Sequence, residues 1–330
     1  MDSDMFNFSD SSSSSKNCTG GIRMERVVFP ILYTVTFCLG VIMNSLSVCI
    51  FCKVPTNSVF IVYSKNTVAA DIIMTLALPF KIVTDSEIAP WQVKVFVCRC
   101  SAVVFYSAMY VNIILLGLIG LDRFLKIVQP YKRRCMGRLS IAKRISLSVW
   151  IVIFGLSMPN MLLNNIKATP ENVNRCSSLK TPLGMGWHKA ISYISQLIFW
   201  SVLISMTVFY TIISKKVYES YVKSHSKDKA MRKNTKAKVF VVVIVFFLCF
   251  APYHFTRVPY TFSQSGMITD CNIARKLFLT KESTLWIAAT NVFMDPFIYV
   301  VLCKPFRKLI PGFSSPRDSS QETPINESTM

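Results

Sequence analysis

Apolar residues in this chain come in runs long enough to cross a lipid bilayer, and that restricts the fold more than any other feature. Val27 to Cys52, Ile141 to Leu163, Ile191 to Ile213 and Val239 to Phe250 are long enough or apolar enough to pass through about 30 Å of hydrocarbon as helices. Of the 330 residues, 52% are apolar and only 16% charged, which is far from the composition of a soluble domain. Seven spans can be drawn, at roughly 27–52, 59–84, 96–126, 141–165, 189–214, 238–263 and 277–303. They predict an all-α membrane protein, a bundle of seven transmembrane helices.

A net charge of +20 fits either a nucleic-acid binder or a membrane protein with basic loops, and the position of the charges decides. Lys53 follows the first span, seven Lys and Arg lie between Lys126 and Arg144, nine between Lys215 and Lys238, and the rest of this set is Lys304, Arg307, Lys308 and Arg317. The other side carries fewer and mixes them with acids. By the positive-inside rule the amino terminus is expected outside the cell and the carboxyl terminus in the cytoplasm, and no nucleic acid is expected as a partner. The opening residues are rich in Ser, Asp and Asn without an apolar core. That predicts no cleavable signal peptide and a first span that acts as the targeting anchor. Residues 1–26 then form an outer tail with glycosylation sequons at Asn7 and Asn17, and 27–303 form the membrane domain. A short amphipathic cytoplasmic helix is expected over 304–312, followed by a disordered polar tail over 313–330.

The cysteines sort by location. Cys38, Cys49, Cys52 and Cys249 fall inside spans, where a thiol packs as a small apolar group, and Cys135 and Cys303 face the reducing cytoplasm. Cys18, Cys98, Cys176 and Cys271 lie on the oxidising side, where disulfides persist. Four cysteines allow three pairings, and spacing does not choose among them. Cys100 reads as packed, not bonded.

Polar residues inside the spans carry the functional signal, because ionisable groups in hydrocarbon are costly. Asn44, Asp71, Asn112, Asn291 and Asp295 lie in the first, second, third and seventh spans. A single buried Asn is often only interhelical glue. Two carboxylates at similar depth repel unless a cation or proton is shared, so Asp71, Asn112, Asn291 and Asp295 form a candidate sodium or proton site. Near the outer end of the sixth span His254 and Arg257 share a helix face, with Lys281 at similar depth in the seventh, and convergent cations suit a polyphosphate. Tyr106 and Tyr110, four apart on the third span, offer flat area for a purine. The histidines are too scattered for a metal site, and no substrate-transforming constellation appears.

Asp122-Arg123-Phe124 at the inner end of the third span resembles the Asp-Arg-Tyr switch of rhodopsin-like receptors, and Asp295-Pro296-Phe297-Ile298-Tyr299 resembles their Asn-Pro-x-x-Tyr motif. Asn44, Asp71, Trp150 and Pro252 fall where that family keeps its own. Phe124, Asp295 and Phe250 depart from the commonest pattern in the way the purinergic nucleotide receptors do. The segments Tyr253-His254-Phe255-Thr256-Arg257-Val258-Pro259-Tyr260 and Lys281-Glu282-Ser283-Thr284-Leu285, with Phe105-Tyr106, Met109-Tyr110 and Trp187-His188, resemble the ADP-sensing subgroup coupled to inhibitory G proteins.

The resemblance implies a plasma-membrane receptor, not an enzyme, that senses extracellular ADP or a related nucleotide. Through an inhibitory-type heterotrimeric G protein it lowers cyclic AMP. Arg257 and Lys281 are expected to grip the phosphates and Tyr106 to face the base, with Tyr110, Asn160, Lys180, His188, His254, Tyr260 and Gln264 in support. The resemblance also implies a coupling switch at Asp122, Arg123 and Tyr299, and disulfides Cys98–Cys176 and Cys18–Cys271. Beyond membrane lipid and an allosteric sodium ion, no cofactor is expected. A receptor for UDP-sugars or for a lipid mediator is the alternative. A transporter is the rival of another class, although the internal repeats that many transporters have are not visible here.

Overall fold

A computed structural model describes residues 22–129, 138–173, 176–223, 229–264, 268 and 270–302. Asn7, Asn17 and Cys18, the expected 304–312 helix and the tail after it lie outside these residues, as do the side chains of Gln264 and Cys271. The described chain forms a bundle of seven membrane-crossing helices. The first and second spans are Ile22–Lys53 and Val59–Asp85, and the third is Trp91–Ile127. The fourth is Leu139–Leu162, the fifth Pro182–Lys223 and the sixth Lys229–Gln264. Six of the crossings are single apolar helices of sufficient length. The seventh is Cys271–Ala289 continued, after Thr290, by Asn291–Leu302.

The helices run past the apolar cores drawn from sequence, by about ten residues at the start of the sixth span (229 against 238). Beyond the hydrocarbon the backbone keeps its internal hydrogen bonds, so a change in hydropathy does not end a helix. Two of the starts carry side-chain caps. Ser58 accepts from the Ile61 N–H at 3.4 Å, and Asp270 accepts from the N–H groups of Asn272 and Ile273 at 2.7 and 3.2 Å.

In the third span 67% of the apolar window is buried, against 17% in the fourth. The third is therefore the axis of the bundle, and it packs against the second, fourth, fifth and sixth spans. Lipid-facing side chains are large and apolar, including Leu147, Ile151, Leu197 and Ile204. The third and fifth spans approach closely because Gly117 and Gly120 present no side chain to Val202 and Met206.

Proline inside a helix removes the N–H that the carbonyl four residues earlier would accept. For Pro296 that carbonyl belongs to Val292, and the side-chain amide of Asn44 on the first span donates to it at 2.9 Å. The first and seventh spans are thereby joined where the seventh is weakest.

A Cβ at Gly117 would lie 2.8 Å from Cγ1 of Val202, a stiff branched side chain. Gly117→Ala is expected to cost about 1–3 kcal/mol through overpacking. Adding Val202→Ala should restore most of the loss in thermal unfolding of the detergent-purified protein.

Candidate functional site

A cavity opens at the end of the bundle that carries the Cys98–Cys176 disulfide, whose Cα atoms are 5.2 Å apart. The bond ties the third span to the loop between the fourth and fifth, as the resemblance implied, and Cys100 is a free thiol. The loop is held further by Asn164, which donates to the Cys98 carbonyl at 3.1 Å, and by Arg99, which donates to the Ile166 carbonyl at 2.8 Å. With its mouth included, the cavity encloses about 780 Å³. Among the residues singled out from sequence, Tyr106, Tyr110, Asn160, Lys180, His188 and Arg257 line it.

Tyr253 lines it too, its ring stacked near Tyr106 with centroids 6.3 Å apart and planes inclined by 26°. Tyr253 was missed as a site residue, although its position one helical turn before Arg257 puts both on one face. Also unpicked were Ser107, Ser157 and Gln196, small or neutral residues whose types carry no signal by themselves.

His254 is fully buried and is not part of the lining. Its Nδ1 lies 2.9 Å from the Phe250 carbonyl, which can only accept. The neutral ring therefore donates there and accepts at Nε2 from the Tyr110 hydroxyl, 3.1 Å away. Phe199 stacks on the imidazole at 3.7 Å. His254 thus positions Tyr110.

Lys281 is also fully buried and lies off the cavity lining. Its ammonium pairs with Glu282, whose other oxygen meets Lys81 of the second span at 3.3 Å. Lys81 also pairs with Asp85 at 2.7 Å and lies 5.2 Å from the Tyr33 ring. Two ammonium groups and two carboxylates balance. Tyr260, buried, connects this cluster to the cavity, since its ring centroid lies 4.7 Å from the Lys281 ammonium and 5.7 Å from the Arg257 guanidinium. One ring contacts both cations.

At mid-bundle the four residues proposed for sodium converge, all fully buried. The Asn112 amide donates to Asp71 at 2.7 Å and to Asp295 at 3.2 Å, and the Asn291 amide to the same two carboxylates at 3.5 and 3.3 Å. Oδ2 of Asp71, Oδ1 of Asp295 and the side-chain oxygens of both asparagines receive no donor. Four buried acceptor oxygens in one cluster suit a hard cation.

At the opposite end Asp122 is buried, and the guanidinium of Arg123 lies over the Phe60 ring, 4.4 Å from its centroid. Tyr299 is buried with its ring edge-on to Phe51 at 5.2 Å. Trp150 donates to Asn66 at 2.9 Å and so joins the fourth span to the second. Over residues 43–299 the chain matches the family described as 7 transmembrane receptor (rhodopsin family). It belongs to that family.

The receptor is 52% identical over 310 residues to purinoceptor 13 of Homo sapiens, a match that covers 93% of this chain and 88% of that protein. It is 53% identical over 297 residues to purinoceptor 13 of Rattus norvegicus, covering 90% and 88%. To purinoceptor 14 of Bos taurus it is 43% identical over 294 residues, covering 89% and 87%. It is therefore a multi-pass membrane receptor and not an enzyme.

Glu282 is the carboxylate shared by two buried ammonium groups. Glu282→Gln leaves both lysines with Asp85 as the one remaining acid of the cluster. That change is expected to cost about 3–5 kcal/mol, read as a lower unfolding temperature of purified receptor.

Proposed function

We propose that the receptor detects extracellular ADP, or a closely related nucleotide, at the plasma membrane and activates an inhibitory-type heterotrimeric G protein, lowering cyclic AMP. The observation that carries this reading is the cavity wall, where the cations Arg257 and Lys180 join the paired rings of Tyr106 and Tyr253. A nucleoside diphosphate combines a flat base with about three negative charges, and cations in a partly dry pocket gain far more from it than exposed ones. The purinoceptor names of the relatives support the same class of ligand. The basic loops support an orientation with the cavity on the extracellular face and Arg123 on the cytoplasmic face.

Lys281 enters the scheme through exchange of partners. A phosphate that draws it away from Glu282 leaves that carboxylate paired with Lys81, so no buried charge is stranded. Tyr260, in contact with both cations, is the ring past which Lys281 reaches the ligand. Ligand then favours the active arrangement, and the helices move at the cytoplasmic end. Sodium held by Asp71, Asp295, Asn112 and Asn291 opposes that shift by stabilising the resting arrangement.

Arg257→Ala and Lys281→Ala should each weaken ADP by roughly 30-fold to several thousand-fold, the equivalent of about 2–5 kcal/mol for a buried charge partner. Radioligand competition on surface-expressed variants reads this directly, and affinity within threefold of the parent for both would place the phosphate clamp elsewhere. A panel of ADP, ATP and UDP-sugars read by cyclic-AMP suppression tests ligand class. Pertussis toxin should abolish the response; a full toxin-resistant calcium signal would overturn the coupling. Replacing sodium by a bulky cation at constant ionic strength should raise agonist affinity in the parent, and Asp71→Asn should blunt that effect.

A further inference from the structure

Two side-chain amides on the cavity wall are buried with polar atoms that have no partner. Asn160, near the end of the fourth span, is 8% exposed and its Oδ1 receives no donor. Gln196, about two turns past His188 on the fifth span, has neither Oε1 nor Nε2 hydrogen-bonded, and both atoms are shielded from solvent. Such groups are rare in folded proteins, because a primary amide removed from water without compensation is destabilising. Asn44, Asn112 and Asn164 also carry a side-chain oxygen without a donor, but their amide N–H groups donate to other segments, whereas neither end of the Gln196 amide is bonded. The Tyr106 and Tyr253 rings line the same cavity.

From this arrangement we infer that Asn160 and Gln196 read the hydrogen-bonding edge of the ligand's heterocycle, and that Gln196 is the residue that selects an aminopurine. The inference rests on the nucleotide reading above and deepens it. A glutamine amide presents a donor beside an acceptor, which matches the ring nitrogen and amino group of adenine in a bidentate pair. The oxygen of Asn160 supplies a second acceptor on the same wall. Binding then satisfies atoms that are unpaired in the empty cavity, so recognition of the base is selective for a ligand that can pair with both. A site built to pair with a ligand N–H rejects an analogue that lacks it far more strongly than an apolar pocket rejects a missing methyl group.

The test compares ADP with purine riboside 5′-diphosphate, which keeps the ring, ribose and phosphates but has hydrogen in place of the amino group. Both compete against a radiolabelled agonist on membranes carrying the full-length receptor. The parent should prefer ADP by about tenfold or more, the scale of one or two buried hydrogen bonds. In Gln196→Met, of similar length and without the amide, ADP should weaken by about tenfold while the analogue stays within about twofold of its parent value, so the preference collapses. A residue with a purely structural role would weaken both ligands alike and leave their ratio intact, and that result overturns the assignment. Asn160→Ala should narrow the ratio in the same direction. If the Gln196 variant does not reach the membrane, the parent still decides, because equal affinity for the two diphosphates rules out an edge reader. A parent that binds neither diphosphate overturns the nucleotide reading itself; one that binds both equally overturns only this inference.

Discussion

Hydrocarbon offers no hydrogen-bond partner, so every polar group placed inside the membrane must find one within the protein or bring a ligand to it. The joint between the first and seventh spans follows from that constraint. Pro296 strips a donor from Val292, and Asn44 supplies it from another helix. The same logic fixes Tyr110, His254 and the Phe250 carbonyl in a chain whose tautomer is dictated by its last acceptor. It also accounts for the balanced cluster of Lys81, Asp85, Lys281 and Glu282, in which no ion is stranded. Buried atoms without a partner include the oxygens around Asp71 and Asp295 and the amides of Asn160 and Gln196, at the places proposed to hold an ion and a base, and also the Asn44 and Asn164 oxygens and the Tyr33 and Tyr210 hydroxyls elsewhere in the bundle.

These features divide the bundle by depth. The cavity at the disulfide end is lined by cations and aromatic rings, His254 and Phe199 stack on each other outside its lining, and the carboxylate cluster lies where the second, third and seventh spans meet. Cys249 and Thr290 touch at 3.9 Å between the sixth and seventh spans, close to the helix break. The sixth and seventh helices that meet there have internal ladders weakened by Pro252 and Pro296.

The fold was legible in the sequence because hydropathy acts at the scale of whole helices. What escaped was local or tertiary. The apolar pattern of the seventh span carries no mark of the break at Thr290, and none in the third marks the π turn at Val97–Ser101. For the site, chain spacing found Arg257 and the Tyr106–Tyr110 face. The same spacing grouped His254 with Arg257, yet in three dimensions His254 faces inward and Tyr253 takes the cavity. Lys281 was legible as a cation at a depth similar to Arg257, but its entanglement with Glu282 and Lys81 depends on how the second and seventh spans pack. Gln196 gave no sign, since an amide in a helix is informative only once its lack of a partner can be seen.

The bare surface that Gly117 and Gly120 turn toward the fifth span has a mechanical meaning. Ridges that interlock must climb over one another before two helices can slip along their axes, whereas a helix side without protrusions is a nearly smooth track. Val202 and Met206 ride on that track, with Tyr210 just beyond. The contact resists separation, because the backbones are close, but offers little corrugation against sliding. This seam runs along the helix that carries Arg123.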